Sequence, residues 1–217
     1  MPLLKVNTIA IGGFDGMHVG HQKLFDALGN KGAIVVVETG HANLTPGTNR
    51  EYYSKHPVVY YSLDQIRHLD GMEFITMLKQ QFPVLEKIVV GYDFRFGKDR
   101  CYSHQDINVF FDGIVEVIDE VCIDGDSVHS NKIRTKLKEG DIAAANRYLG
   151  HNYLIQGKIV QGQGLGKKSL YPTLNVEPFR YLIPMEGVYV GLVQLDNEEH
   201  WNPSVIFIGH RLSTDNT

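Results

Sequence analysis

Near the start of the chain an apolar run, a glycine-rich turn and a helical period follow one another without a spacer. Thr8-Ile9-Ala10-Ile11 reads as a buried strand. Gly12-Gly13-Phe14-Asp15-Gly16-Met17-His18-Val19-Gly20-His21 is the turn. Gln22 to Leu28 then places Leu24, Phe25 and Leu28 at helical spacing. A second apolar run, Ala33-Ile34-Val35-Val36-Val37, completes a β-α-β unit. Such a unit joins parallel strands, so the chain is predicted to build a parallel α/β sheet.

The turn also points to a ligand. Glycines let a backbone approach a ligand closely, and a helix N-terminus offers unpaired N–H groups to an anion. His18 and His21, one turn apart, lie on one face and can donate to polyphosphate oxygens. The chemistry suggested is nucleotide binding with attack at phosphorus. A plain tight turn and a His-x-x-His metal pair are the alternatives, but no partner pair at zinc spacing occurs elsewhere. No Gly-Lys-Ser/Thr follows, so this is not a Walker A loop. The glycine spacing also differs from the dinucleotide fingerprint.

A net charge of -4 over 217 residues argues against nucleic acid as a partner, which needs a basic field. Phosphates must then be held by local donors. Cys101 and Cys122, the only cysteines, form neither a metal pattern nor a disulfide framework. The N-terminal segment lacks a signal peptide, and no apolar run is long enough to span a bilayer. A cytoplasmic protein without a membrane partner is expected.

Further strands are expected at Val58 to Tyr61, Lys87 to Val90 and Ile114 to Val121. Helices are expected at Asp64 to His68, Met72 to Gln80, Ile107 to Phe111, Asn131 to Lys138 and from Asp141 to Leu149. Thr39 to Lys55 reads as a polar loop. After Gly150 the helical period disappears. Tyr153 to Val160, Gly187 to Leu195 and Ser204 to Ile208 are rich in β-formers, so a β region is expected over 151–217 beside an α/β domain over 1–150.

Three later segments carry chemistry. Gly91-Tyr92-Asp93-Phe94-Arg95-Phe96-Gly97 opens from a strand end, where α/β sheets bind ligands. Phe94 and Phe96 can stack on a flat ring and Arg95 can meet a phosphate, although Phe96 reads equally well as a core anchor. In His129-Ser130-Asn131-Lys132-Ile133-Arg134, Ser130 and Asn131 can cap a helix, and Arg134 can reach the same anion. A capped surface helix is the plain alternative. Gly162-Gln163-Gly164-Leu165-Gly166-Lys167-Lys168 is a positive, glycine-rich loop. It is followed by Tyr171-Pro172-Thr173-Leu174-Asn175, where Thr173 and Asn175 supply oxygens of the kind Mg²⁺ accepts. A hairpin edge is the alternative there.

The first segment resembles the Gly-x-Phe-Asp-Gly-x-His-x-Gly-His signature of cytidylyltransferase-like nucleotidyltransferases. The four segments in this order resemble the bacterial bifunctional riboflavin kinase/FAD synthetase family. The resemblance implies a Rossmann-like FMN adenylyltransferase domain followed by a riboflavin-kinase-like β-barrel, incomplete as given. It implies ATP, FMN and riboflavin as substrates and Mg²⁺ as cofactor. His18, His21, Ser130 and Arg134 take catalytic roles under it. Gly12, Phe14, Asp15, Gly20, Gly91, Asp93, Phe94, Asn131, Gly162, Gly164, Lys167 and Pro172 bind substrate or nucleotide, and Thr173 and Asn175 hold the metal. Departures are His129 and Asn131 for Ser and Thr in the third motif, Leu170 for Gly in the fourth, and a short 40–61 region without the family's Pro-His-Pro loop. The family's strand bearing the kinase's catalytic Glu has no counterpart before Thr217, so FAD synthesis without riboflavin phosphorylation is expected. Another nucleotidyltransferase of the superfamily, or a non-catalytic flavin- or nucleotide-binding regulatory module, remains the alternative.

Overall fold

The computed structural model describes residues 3–161, 173–196 and 198–209. Strand β1 (Thr8–Gly12) leads through the glycine turn into helix α1 (Val19–Asp26) and back to β2 (Gly32–Glu38). Then follow β3 (Val58–Ser62), α2 (Leu63–Ile66), α3 (Gly71–Gln81) and β4 (Lys87–Gly91). A small hairpin, β5 (Arg95–Phe96) and β6 (Tyr102–Ser103), precedes α4 (Ile107–Phe110) and β7 (Ile114–Ile118). A second short hairpin, β8 (Cys122–Ile123) and β9 (Asp126–Ser127), leads to α5 (Ser130–Lys138) and α6 (Ile142–Leu149).

Five strands form one sheet in the order β3-β2-β1-β4-β7, and every neighbouring pair is parallel. Parallel strands are covered on both faces, which is why β1, β2 and β4 read as continuous apolar runs. Alternate residues go to opposite sides. Ile9 and Ile11 of β1 pack with Val35, Ile88, Val90 and with Phe74, Ile75 and Leu78 of α3. Ala10 packs on the other face with Ile34, Val36, Val89 and with Leu24 and Phe25 of α1. A third cluster joins Leu44 to Ile133 and Leu137 of α5 and to Ala145, Tyr148 and Leu149 of α6. Asp141 caps α6 by accepting from the Ala144 N–H at 3.0 Å, and Gly150 closes it at φ 78°.

Beyond α6, β10 (Gly157–Val160) pairs with β11 (Asn175–Pro178), and β12 (Gly187–Val193) with β13 (Asn202–Ile208), both antiparallel. These are two separate ribbons, and no closed barrel forms among the described residues. Val190, Val205, Val188 and Phe207 stand exposed on the second ribbon. Among the described residues no helix is long and apolar enough to cross a membrane.

Several boundaries differ from expectation. Helix α1 begins at Val19, because His18 accepts from the His21 N–H and starts the helix three residues early. The strand expected from Tyr153 begins only at Gly157. Tyr153 is drawn into the α5–α6 cluster instead, its hydroxyl donating to the Leu182 carbonyl at 2.7 Å. The polar segment 39–55 is not featureless: a 3-10 stretch, Gly47–Tyr53, buries Arg50 almost completely.

Candidate active site

The chain winds from β1 outward through β2 to β3, then returns to lay β4 on the other side of β1. A doubly wound sheet opens a crevice where its strand order reverses, here at the carboxyl ends of β1 and β4. The glycine turn leaves β1 there, and Tyr92 to Phe94 leave β4 there.

The turn is tightly specified. Phe14, Gly16 and Met17 all take positive φ, at 49°, 91° and 46°. Phe14 is buried, and its ring crosses over Gly12, where a Cβ would lie 2.9 Å from the ring carbons. Gly20 likewise leaves room for the His18 ring, 3.1 Å from where its Cβ would stand. Left-handed conformations at two non-glycine residues are costly and persist only where the surroundings impose them. The imposing contacts are side-chain hydrogen bonds. Thr45 Oγ1 accepts from the Gly16 N–H at 2.8 Å, Gln22 Nε2 donates to the Met17 carbonyl at 3.0 Å, and Arg50 Nε donates to the Gly13 carbonyl at 3.1 Å. Arg50 is held in turn by Glu38 at 2.7 Å.

His18 and His21 are stacked, with ring centroids 3.5 Å apart at 21°. Phe14 meets the His21 ring edge-on at 5.1 Å. Burial pushes the His18 pKa down from 6.5 to about 4, with His129 adding to the effect, Asp15 opposing it and His151 lowering it further. Burial, then His18 and Arg50, put His21 well below the ordinary value. Both rings are therefore neutral at pH 7, and each has one N–H to donate. His18 Nδ1 accepts from the backbone, so Nε2 carries its proton. His21 Nδ1 is buried without a hydrogen-bond partner among the described residues.

Asp15 is a structural hub. Its carboxylate accepts from the N–H groups of Asn43, Leu44 and Thr45 at 3.1, 3.0 and 2.9 Å and pairs with Arg134. Arg134 also donates through Nε to Asn43 Oδ1 at 2.9 Å and through Nη1 to Asn131 Oδ1 at 2.7 Å. Three of five guanidinium donors are thus occupied, leaving one on each terminal nitrogen. Ser130 does not cap α5, contrary to expectation. His129 occupies the N-cap position, and Ser130 Oγ instead donates to the Asp15 carbonyl at 2.7 Å. That bond ties the start of α5 to the glycine turn. The N-termini of α1 and α5 converge, and among the described residues no side chain caps the N–H groups of α5.

The structure therefore brings Gly12, Phe14, Asp15, His18, Gly20, His21, Ser130, Asn131 and Arg134 together. Gly91, Asp93 and Phe94 lie at the β4 end, where Asp93, Phe94, Arg95 and His104 line a neighbouring cleft of about 440 Å³. Phe96 turns away and is a core residue, 5% exposed. Thr173 is exposed and Asn175 half-buried at the start of β11, on the separate ribbon. Gly162, Gly164, Lys167 and Pro172 lie outside the described residues.

Four contributors had no sequence signal: Asn43, Thr45, Arg50 and His151. The first three sit in an aperiodic polar segment, and what selects them is contact across 28 to 37 residues. His151 Nε2 lies 3.1 Å from the Gly16 carbonyl and its ring stacks on Tyr53 at 4.0 Å. Asn43 also accepts at its carbonyl from the Leu182 N–H at 2.7 Å, linking the later β region to the turn.

Residues 149–217 match the riboflavin kinase family, Flavokinase. The chain is 29% identical to the bifunctional riboflavin kinase/FMN adenylyltransferase of Pseudomonas fluorescens, over 93% of this chain and 72% of that protein. It is 27% identical to the Listeria monocytogenes protein of the same description, over 89% and 69%, and 28% identical to that of Escherichia coli K12, over 94% and 73%. A crystal structure described as a macrolide-efflux protein from Streptococcus pneumoniae superposes with a TM-score of 0.83 at 22% identity. It covers 97% of this chain and 76% of that one, a likeness that shows the fold alone.

Proposed function

We infer that this chain, a homologue of bifunctional riboflavin kinase/FMN adenylyltransferases with a riboflavin kinase match over 149–217, makes FAD from FMN and ATP. The observation that carries the reading is the convergence of two helix N-termini on a strained glycine turn holding two stacked, neutral histidines. Helix ends and neutral donors suit a polyphosphate in a chain of net charge -4.

A phosphate oxygen of FMN attacks the α-phosphorus of ATP in line, the bond to the β-phosphate oxygen breaks, and pyrophosphate leaves. Catalysis of this kind is mostly positioning and charge stabilisation. His18 and His21 donate to the triphosphate, and the geometry of their turn fixes where they point. Arg134 and the uncapped start of α5 receive the departing charge. Asp15 acts behind Arg134 rather than on the nucleotide: its oxygens are filled by protein donors. Asp93 and Phe94 serve the flavin side of the crevice, where the cleft volume suits a flat ring.

Residues 1–150 form the adenylyltransferase domain and 151–217 the flavin-kinase module, a division that the family match from residue 149 supports. Thr173 and Asn175 offer neutral oxygens, which suits Mg²⁺ arriving with nucleotide phosphates and keeping some of its waters. Bound there, such an ion would supply neutralisation of phosphate charge. The test is incubation with FMN, ATP and Mg²⁺, with FAD and pyrophosphate measured together. Equal amounts of both are expected. Pyrophosphate released only with another phosphorylated acceptor would reassign the substrate, and flavin binding without turnover would leave a regulatory module.

A further inference from the structure

We propose that the segment 181–185, within the stretch that matches the riboflavin kinase family, is a strap that positions Arg134 for adenylyl transfer, with Asn43 as the positioning residue between them. The proposal rests on the adenylyl-transfer reading of this site.

Asn43 reaches Arg134 by two routes. Its side-chain Oδ1 accepts from Arg134 Nε at 2.9 Å. Its backbone N–H donates at 3.1 Å to Asp15 Oδ2, the oxygen that also pairs with Arg134 Nη2. The third hold on the guanidinium, Asn131 Oδ1 on Nη1, comes from one turn earlier on α5 itself. Two of the three acceptors therefore depend on where Asn43 stands. A guanidinium held at three nitrogens has its plane fixed, so its remaining donors meet an anion with little further loss of freedom. Charge fixed in advance is what stabilises a transition state.

Asn43 is held in turn from the later β region. Its carbonyl accepts from the Leu182 N–H at 2.7 Å, and the Leu182 carbonyl accepts from the Tyr153 hydroxyl at 2.7 Å. Burial, then the Asp15 charge, push the Tyr153 pKa far above the ordinary value, so the hydroxyl stays protonated and donates. Three residues beyond Leu182, the Met185 N–H donates at 3.0 Å to the carbonyl of Leu137, in the last turn of α5. The strap is thus bonded both to the loop that supplies Asn43 and to the helix that carries Arg134. Residues 181–185 belong to no strand or helix, yet Tyr181 and Pro184 are buried. Leu182 packs on the cluster of Leu44, Ile133 and Leu137. That packing accounts for the strap's side chains. It does not account for a run of hydrogen bonds that passes from Tyr153 through Leu182 and Asn43 and ends on Arg134.

The experiment uses the full chain labelled with ¹⁵N in its arginine side chains, the Arg134 Nε signal being assigned with Arg134→Lys, and FAD formation is measured alongside. Asn43→Ala removes the Oδ1 acceptor and leaves the backbone bonds to Asp15 and Leu182 in place. The Arg134 Nε order parameter should then fall below about 0.6, the flexible range. The kcat should fall about tenfold, the low end for a hydrogen bond to a charged group, with KM for FMN little changed. Asn43→Asp keeps an acceptor at that point and should keep Nε ordered. Tyr153→Phe removes only the hydroxyl that holds Leu182; it should loosen Nε and lower kcat about threefold, the loss expected for one neutral hydrogen bond. A strap that merely stabilised the fold would lower the melting temperature in these variants and leave Nε as ordered as in the parent. That result in Asn43→Ala or in Tyr153→Phe, or a change confined to KM for FMN, would overturn the proposal and leave adenylyl transfer standing. A parent chain that makes no FAD would overturn the adenylyl-transfer reading and the strap's task with it.

Discussion

Replacing Asp15 with asparagine changes one atom and should cost much of the site. Oδ1 accepts from the N–H groups of Leu44 and Thr45, and Oδ2 from the Asn43 N–H and Arg134. Whichever oxygen becomes NH₂, two donors then face a donor. The pair with Arg134 is lost as well, and its side chains are only 11% and 24% exposed. Removing one partner of a buried pair costs about 3–5 kcal/mol, and the residual exposure here favours the lower end. At roughly 2–4 °C per kcal/mol for a chain of this size, about 3 kcal/mol lowers Tm by about 6–12 °C. The loop at 43–45 also loses its anchor, so Arg134 should swing and the rate of FAD formation should fall in protein that is still folded at 20 °C. The assay is thermal unfolding followed by circular dichroism, with Asp93→Asn as comparator. Asp93 is exposed and should move stability by less than about 0.5 kcal/mol. An Asp15→Asn protein melting within about 2 °C of the parent would show that the hub does not hold the turn.

His21→Ala should reduce FAD formation by about 100- to 1,000-fold, the loss expected for one transition-state donor. A fall of less than about fivefold, far short of that, would remove the histidine from the chemistry. Arg134→Ala should lower kcat more than it raises KM for FMN, and steady-state kinetics showing a change confined to that KM would place Arg134 in the flavin pocket. The pKa of His18, depressed from 6.5 to about 4, makes stability pH-dependent. The unfolded ring takes up a proton below pH 6.5 while the folded one stays neutral, so the contribution is full above that value and is lost as pH falls toward 4. Between pH 7 and pH 5 it costs about 2 kcal/mol. His21 is depressed in the same direction, so urea midpoints at the two pH values should show at least that drop, and His18→Asn should remove the His18 share of it.

Local pattern carries the sheet. The apolar runs of β1, β2 and β4 are continuous because both faces of a parallel strand are covered, and that burial is visible residue by residue. The cap at Asp141 and the stop at Gly150 are likewise written in adjacent residues. Candidate site residues were legible where glycine spacing and a helix start coincide, as at His18 and His21. They were illegible in 39–55, where Arg50 and Asn43 follow no period. Ser130 misled for a related reason: a serine at a helix start ordinarily caps it, but here the Asp15 carbonyl, 115 residues away, takes its hydroxyl.

By itself, the sequence determined that a strand, a glycine turn and a helix would follow one another, and that two histidines would share the helix's first turn. Spacing along one chain sets both. Only the tertiary structure decided that α5 would land on that turn and that the Asp15 carboxylate would be taken up by protein donors. Each of those outcomes depends on donors and acceptors meeting across long stretches of chain. Buried polar groups must find partners wherever the fold supplies them, and the partner's identity is fixed by packing rather than by its place in the sequence.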